Sequence, residues 1–382
     1  MIPYGRQSIS DEDVKLISEI VKSDWLTTGP TVRQFEEDFA RYVGSKYAVA
    51  VSSGTAALHV ACLAAGLKKD DELITTPMTF CASSNCALYC GARPVFADIK
   101  DDLSGLIDPL KIKACLTSNT KIIIPVHYAG QPCDLEEIRH NIEDDVLIIE
   151  DACHALGATY KGTRIGDCSY SDMCVFSFHP VKHITTGEGG MITTNSKKLF
   201  EKLMMLRNHG ITKDPSKLFN TPDGPWYYEM QDLGFNYRIT DFQCALGASQ
   251  LKRLDTFVKK RKDLAKKYDK AFENDSNLRL LNTGLNEDEF VSNSYHLYVI
   301  VLRDSQVRAA LFNFLIENNI ICQVHYIPVY WQPYYQDMGY INGLCPNAEE
   351  FYSRIISIPM FPNLKSEEQD FIINKIKSFF KE

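Results

Sequence analysis

Seven short apolar segments, most of them followed by a stretch long enough for a helix, dominate the first half of the 382-residue chain. They lie at 47–51, 73–76, 94–97, 122–126, 146–149, 173–178 and 191–194. They are rich in β-branched residues and show no polar alternation, which is typical of strands buried on both faces. The pattern predicts an α/β fold in which a mostly parallel sheet lies between layers of helices.

The chain is longer than a usual single domain, so we expect one large domain and one smaller one. A helix predicted from 241 to about 273 has a charged second half, which indicates that it leaves the main body. A predicted strand at 321–325 and a final helix follow. We therefore expect a large domain at 1–250, whose N-terminal segment packs with the other unit, and a small α+β domain at 251–382.

Charge and cysteine usage exclude several classes of protein. A formal net charge of -8 argues against nucleic acid or an anionic membrane as a partner, because both would be repelled. The 12 cysteines include no CxxC pair, so we expect reduced thiols. The first residues lack the apolar core of a signal peptide, no run reaches membrane-spanning length, and no His, Asp or Glu cluster has metal-ligand spacing. We expect a soluble, cytoplasmic protein without a metal.

One lysine stands out in the segment FSFHPVKHITTGEGG. Lys182 lies between the end of a predicted strand and the turn formed by the glycines 187, 189 and 190, in otherwise apolar, hydroxylic or glycine surroundings. A lysine that is partly desolvated has a lowered pKa and becomes nucleophilic toward aldehydes, as Schiff-base chemistry requires. A solvent-exposed loop lysine is the alternative, and neighbouring motifs decide against it.

Acidic and imidazole groups follow another predicted strand. Asp151 comes directly after an apolar run, so we expect it to be buried and to need a cationic partner. A protonated pyridine nitrogen is such a partner, and His154 could reach the same ring. A structural salt bridge is the alternative.

Two further features complete a pattern. The strand that ends at Val51 runs through Ser53 and Gly54 into a helix that starts near Thr55, and such a helix start can hold a phosphate. Phe80 follows the next strand and could stack on a planar ring. Together, these features indicate a site for pyridoxal 5′-phosphate: a phosphate cradle, a buried aspartate, a desolvated lysine and an aromatic side chain that can stack on the ring. The sequence lacks the GxGxxG and GxxxxGK[ST] signatures of nucleotide-binding folds.

Five motifs in order, SSGTAAL, TTPMTF, EDACHALGA, FSFHPVKHITTGEGG and GFNYRITDFQCALGASQL, resemble the sugar aminotransferases of the DegT/DnrJ/EryC/StrS family. The resemblance covers essentially the whole chain and implies a pyridoxal-phosphate enzyme of the aspartate-aminotransferase fold (fold type I). It implies that Lys182 forms the Schiff base, that Asp151 faces the pyridine nitrogen, that His154 contacts the phenolic oxygen and that Phe80 stacks on the ring.

The same resemblance implies phosphate contacts from Thr55, Ala56 and Ser177. It also implies that Asn236 reaches the phosphate of a neighbouring subunit, and hence a homodimer with shared active sites.

Within the family, the segments IPYGRQ, HPVKHITT and CQVHYIPVYWQPYY are most similar to enzymes of pseudaminic acid biosynthesis. This likeness implies transfer of an amino group from L-glutamate to the 4-keto carbon of a UDP-linked 2-acetamido-2,6-dideoxy-hexos-4-ulose. Another nucleotide keto-sugar (dTDP or GDP, 3- or 4-keto) and a non-catalytic cofactor-binding scaffold or regulator remain as alternatives. Candidate contacts for the sugar, the diphosphate or a carboxylate are Tyr4, Thr28, Arg33, Arg238, His296, His325 and Tyr326.

Overall fold

The computed structural model describes residues 1–283 and 291–381. Its helices are α1 Asp11–Val21, α2 Pro30–Val43, α3 Gly54–Ala64, α4 Ala82–Tyr89, α5 Pro109–Cys115, α6 Leu135–His140, α7 Lys197–Leu206, α8 Asp241–Leu251, α9 Leu254–Phe272, α10 Arg308–Glu317, α11 Pro333–Asp337, α12 Pro346–Arg354 and α13 Ser366–Phe379. Its strands are β1 Tyr47–Val51, β2 Glu72–Thr75, β3 Arg93–Phe96, β4 Thr120–Ile124, β5 Leu147–Asp151, β6 Thr159–Tyr160, β7 Thr163–Arg164, β8 Met173–Ser177, β9 Gly190–Thr194, β10 Ile211–Thr212, β11 Glu229–Met230, β12 Leu278–Leu280, β13 Tyr298–Leu302 and β14 Ile355–Ile358.

A seven-stranded sheet in the order β1-β9-β8-β5-β4-β2-β3 forms the centre of the described chain. All neighbouring pairs are parallel except those of β9, which runs antiparallel to both β1 and β8. The strands are buried on both faces, between α3, α4 and α7 on one side and helices that include α2, α6 and α8 on the other. The predicted α/β fold with a mostly parallel sheet is confirmed.

A second, antiparallel sheet of β12, β13 and β14 packs with α10 and α13 around a separate apolar cluster. Ile2 belongs to this cluster and pairs with Ile320. The domain boundary at residue 250 remains a prediction, since α9 contributes to the clusters of both sheets.

Two predicted elements were wrong. The helix expected from 241 to about 273 is two helices, α8 and α9, separated at Lys252 and Arg253. The sequence has no glycine or proline at this break. The break lets the Arg253 guanidinium lie 2.5 Å from the carboxylate of buried Asp13 in α1. The segment 321–325 is not a strand, because beyond one bridge between Gln323 and Ser357 it makes no ladder.

No helix in residues 1–283 or 291–381 combines the length and apolarity that crossing a membrane requires.

Candidate active site

A cavity of about 590 Å³ opens at the carboxyl ends of the parallel strands. One wall consists of residues that follow or end β1, β2, β4, β5 and β8, and the other includes Tyr4, His296 and the segment 323–326. Because ligands of open parallel sheets bind at this edge, the cavity lies where the sequence placed the site.

Lys182 lies in the turn between β8 and β9. Phe178 closes this turn, because its N–H donates to the Gly189 carbonyl (2.8 Å) and its carbonyl accepts from the Thr186 N–H (3.1 Å). The Lys182 N–H donates to the His179 carbonyl at 2.9 Å. The backbone is thus held in place, and the lysine side chain lines the cavity.

The amine of Lys182 is enclosed by protein except toward the cavity. Burial lowers its pKa; the neighbouring Cys153 and Asp151 oppose this shift, and the positive charge of Arg261 adds to it. A lysine with a lowered pKa supplies more of the neutral, nucleophilic amine at a given pH. The position therefore fits the expected reaction with an aldehyde.

Asp151 ends β5 and is 6% exposed. Its Oδ2 accepts a hydrogen bond from Ser83 Oγ at 2.6 Å, and its Oδ1 accepts one from the Cys153 N–H at 3.1 Å. Ser83 Oγ also lies 2.7 Å from Thr79 Oγ1. Within the described residues no Lys, Arg or His side chain forms a salt bridge with Asp151, so the cation expected for this carboxylate would have to come from a ligand.

The turn from β1 into α3 is the segment for which the phosphate cradle is predicted. A Cβ added to Gly54 would lie 2.9 Å from the Cβ of Ser177, so glycine permits the close approach of these two segments. The Ala56 N–H donates to Ser53 Oγ at 3.0 Å, whereas in the described residues the N–H groups of Gly54 and Thr55 have no such partner. Gly54, Thr55 and the Ser177 hydroxyl are thus available to an anion, and the Ala56 contact stays a prediction.

His154 lies beside Lys182 in a buried histidine cluster. Burial lowers its pKa well below the usual range, and the positive charge of Lys182 adds to the effect. Tyr326 Oη is 3.0 Å from His154 Nε2. If the hydroxyl donates, the ring hydrogen is on Nδ1, a buried atom that has no partner among the described residues. This orphaned donor fits an acceptor oxygen on a bound ligand.

The substrate candidates divide into two groups. Tyr4, His325, Tyr326 and His296 line the cavity of Lys182, as does Phe80, which is 58% exposed. The remaining candidates, Thr28, Arg33 and Arg238, line a separate cavity of about 890 Å³.

The two candidate arginines that line this separate cavity, Arg33 and Arg238, have local partners. Arg33 Nε pairs with Glu37 at 2.8 Å, and Arg238 Nη1 donates to Asn208 Oδ1 at 2.6 Å. Asn236 is exposed and lines neither of these two cavities. One chain therefore does not bring these residues to Lys182, and their roles remain predictions that require a second copy.

Sequence reasoning missed Ser83 and gave His296 a different role. Ser83 contacts Asp151 across 68 residues of chain, and His296 Nε2 lies 3.4 Å from Lys182 Nζ across 114 residues. His296 was expected to contact a sugar, but the structure places it against the amine. No local signal identifies either contact, because both depend on how distant segments pack.

The cavity fits pyridoxal 5′-phosphate feature by feature. Lys182 can hold the aldehyde, Asp151 can face a protonated ring nitrogen, and the start of α3 can hold the phosphate. The unpartnered His154 Nδ1 can meet a ring oxygen. Across the described parts of the chain, no group of three or more His, Cys, Asp or Glu residues could hold a metal ion.

Comparison with known proteins adds independent findings. The model of the DegT/DnrJ/EryC1/StrS aminotransferase family matches residues 7–377. The spore coat polysaccharide biosynthesis protein SpsC of Bacillus subtilis is 39% identical over 386 residues, 100% of this chain and 97% of SpsC. A UDP-4-amino-4,6-dideoxy-N-acetyl-beta-L-altrosamine transaminase of Campylobacter jejuni is 38% identical over 379 residues, 97% of this chain and 96% of that protein.

A solved structure is similar over the full length. PseC of Helicobacter pylori, an aminotransferase involved in the biosynthesis of pseudaminic acid, aligns with a TM-score of 0.91 and 32% identity. The alignment covers 100% of this chain and 99% of PseC.

Proposed function

The chain belongs to the DegT/DnrJ/EryC1/StrS aminotransferase family, and from this membership we propose that it aminates a UDP-linked 2-acetamido-2,6-dideoxy-hexos-4-ulose at C4 with L-glutamate as donor. It is a sugar aminotransferase that depends on pyridoxal 5′-phosphate. The observation that carries the choice of sugar is the likeness to the Campylobacter transaminase and to PseC, which extends over at least 97% of this chain in both comparisons.

When bound, the cofactor supplies an aldehyde and an electron-withdrawing ring that stabilises negative charge on an attached carbon. Lys182 would hold the aldehyde carbon of the cofactor through Nζ. When this amine is free, it is the general base that accepts the α proton of glutamate at Nζ, and the general acid that delivers a proton to C4 of the sugar. A lowered pKa suits both roles, because the amine has to gain and lose a proton near neutral pH.

Asp151 keeps the ring nitrogen protonated through its negative charge, and the hydrogen bonds from Ser83 and the Cys153 N–H orient the two carboxylate oxygens. His154 donates to the ring oxygen through Nδ1. The start of α3 and the Ser177 hydroxyl hold the phosphate and so fix the ring relative to Lys182.

Replacing Ser83 with alanine is expected to lower kcat/KM about 10-fold, because a hydrogen bond to a charged group contributes roughly 1.5–3 kcal/mol. Ser249→Ala is the matched control: it removes a buried hydroxyl that also donates to a carboxylate, Asp13 Oδ1 at 2.6 Å, outside the cavity. Steady-state kinetics with glutamate and the keto-sugar provide the measurement. Equal losses in the two variants would show that Ser83 does not act through Asp151.

A third cavity, of about 650 Å³, adjoins the cavity of Lys182. Its position supports an extended nucleotide-sugar ligand. Both cavities are lined by Thr79, Phe80, Val324 and Tyr326. The third cavity is also lined by the aromatic side chains of Tyr89, Tyr334 and Tyr335. Aromatic faces stack readily on a planar base, so the sugar would lie at Lys182 and the nucleotide in this adjoining cavity.

We further propose that the enzyme is a homodimer with shared sites. Several large apolar side chains are more than half exposed in the single chain, among them Trp25, Phe219, Trp226 and Leu233. Contact with a second copy would remove apolar side chains of this kind from water. A second copy would also give a role to Asn236 and Arg238, which lie outside the cavity of their own chain. Light scattering at the mass of two chains is the expected result.

We place the enzyme in the cytoplasm. The 12 cysteines are all free thiols in the structure, as is usual for proteins in reducing compartments.

The substrate is tested by incubating the purified protein, pyridoxal 5′-phosphate and L-glutamate with UDP-, dTDP- and GDP-linked 4-keto and 3-keto sugars. Products are identified by mass spectrometry, and the position of the amine by NMR. We expect kcat/KM to be about 100-fold higher for the UDP-linked 2-acetamido 4-keto sugar than for the other sugars, a ratio that several pocket contacts can supply. Preference for another nucleotide or for amination at C3 would contradict the proposal.

Another nucleotide keto-sugar is the second candidate substrate, favoured by the 39% identity to SpsC; the same panel detects it. A cofactor-binding scaffold is a more distant alternative. The yellow colour of the bound cofactor should fade when glutamate is added, and a colour that no amino donor changes would support the scaffold instead.

A further inference from the structure

Arg261 in α9 is fully buried, and no acidic side chain among the described residues pairs with it. Its Nη1 donates to three backbone carbonyls, those of Tyr295 (3.2 Å), His296 (3.1 Å) and Met360 (2.9 Å). Its Nε is buried and has no hydrogen-bond partner. Within residues 1–283 and 291–381 it forms no salt bridge. Since a buried charge without a counterion is costly, the retention of this one needs an explanation.

A short chain of contacts connects Arg261 to the amine of Lys182. The guanidinium binds the carbonyl of His296, and the ring of the same histidine places Nε2 3.4 Å from Lys182 Nζ. The His296 ring packs against His154 at 4.4 Å and against His183 at 5.6 Å between centroids. Arg261 therefore fixes the backbone of a residue whose side chain contacts the reactive amine.

We propose that Arg261 is a positioning residue for Lys182: it places a fixed positive charge behind the cavity floor and holds His296 against the amine, and both contacts disfavour protonation of Lys182 when it is free. The inference deepens the proposed function, because it rests on Lys182 as the reacting amine. It does not depend on which sugar is aminated.

The charge balance around Lys182 supports this assignment. Two groups on the β5 side, Cys153 and Asp151, favour the protonated amine, and burial raises the pKa of the Cys153 thiol. Arg261 acts in the opposite direction. The other titratable groups that line the cavity or face Lys182 are Tyr4, His154, His179, His183, Glu188, His296, His325 and Tyr326.

The imidazoles closest to Lys182 cannot replace Arg261 as the source of positive charge. Burial lowers the pKa of His154, His183 and His296 well below the usual range. Burial also lowers the pKa of Arg261, but only to about 10, so the guanidinium remains charged at neutral pH. Of these buried groups, Arg261 is the one that presents a permanent cation to the amine.

The test measures the protonation of Lys182 itself. The full chain is treated with hydroxylamine to release aldehyde from the lysine, with and without added pyridoxamine 5′-phosphate. It is then exposed to trace acetic anhydride over a range of pH, and peptide mass spectrometry gives the acetylation rate of Lys182 and of exposed Lys197. In the wild-type protein we expect the midpoint for Lys182 to lie below that for Lys197, and equal midpoints would overturn the proposal.

Arg261→Met should raise the Lys182 midpoint by about one pH unit, the effect of one charge roughly 10 Å away at an effective dielectric constant of about 20. Arg308→Met is the matched control, because its guanidinium also donates to a backbone carbonyl, that of Tyr352; it should leave the midpoint unchanged. An unchanged midpoint in folded Arg261→Met would contradict the proposal.

Arg261→Gln is the second variant, and it decides the matter if Arg261→Met does not fold, because the amide of glutamine can still donate to backbone carbonyls. It removes the positive charge but keeps part of the hydrogen bonding, so the Lys182 midpoint should rise by about one pH unit, as in Arg261→Met. An unchanged midpoint in folded Arg261→Gln would show that the charge is not what acts on Lys182. Failure to aminate the proposed sugar would leave these midpoints unaffected, so the two proposals can fail separately.

Discussion

Lys182→Arg is expected to lower kcat for amino transfer by about 10⁴-fold or more, because general acid–base catalysis alone contributes up to about 10⁴. Arginine retains a positive charge and similar length, but it does not deprotonate at neutral pH. It can neither hold the aldehyde nor carry a proton between glutamate and the sugar. Single-turnover kinetics with glutamate measure the effect. The reaction is monitored through the loss of the yellow colour in the wild type and through the mass of the product in the variant.

Lys197→Arg serves as the control, since Lys197 is exposed at the start of α7 and lies outside the cavity. It should be as active as the wild type. The cofactor should still bind to Lys182→Arg without covalent attachment, because the phosphate cradle and Asp151 are untouched. A kcat for amino transfer by Lys182→Arg that is within about 10-fold of the wild-type value would refute the role of Lys182.

Asp151→Asn is expected to lower kcat by about 10³-fold, within the range found when one electrostatic contact to the reacting group is removed. Asparagine has the same shape, and its amide oxygen can still accept from Ser83 Oγ. What it lacks is the negative charge that keeps the ring nitrogen protonated. The loss should therefore arise in catalysis rather than in folding. The midpoint temperature of thermal unfolding of the variant should be close to that of the wild type.

Asp144→Asn is the matched control, an exposed carboxylate in the loop before β5. Its kinetics should equal those of the wild type. Binding of pyridoxal 5′-phosphate to Asp151→Asn, measured by equilibrium dialysis, distinguishes the charge effect from a collapsed site. A variant that binds the cofactor and transfers the amino group at the wild-type rate would show that this carboxylate does not act on the ring.

The parts of the site that lie next to strand ends could be predicted from sequence. Asp151 ends β5, Lys182 follows β8, and Gly54 and Thr55 follow β1, so the convergence of parallel strand ends brings them together without further information. The residue types were also informative, because a lysine near a glycine-rich turn or a carboxylate after an apolar strand is unusual. The placement of these side chains in one cavity agrees with the sequence-based expectation.

Other features had no local signal. The helix break at Lys252 and Arg253 contains no helix-breaking residue, and the segment 321–325 alternates like a strand without pairing as one. In both cases the periodicity of the sequence was compatible with the predicted element, and contacts with distant segments determined the outcome.

The sequence by itself determined most of the order of strands and helices, apart from the break between α8 and α9 and the segment 321–325, and it singled out the lysine and the aspartate that follow or end strands. These features depend on apolar periodicity and on the alternation of strands with helices, which the sequence shows directly. Only the tertiary structure decided that Ser83 orients Asp151, that His296 contacts Lys182 and that buried Arg261 lies behind it. Those contacts join residues far apart in the chain, and packing rather than local preference selects which of many polar side chains meet.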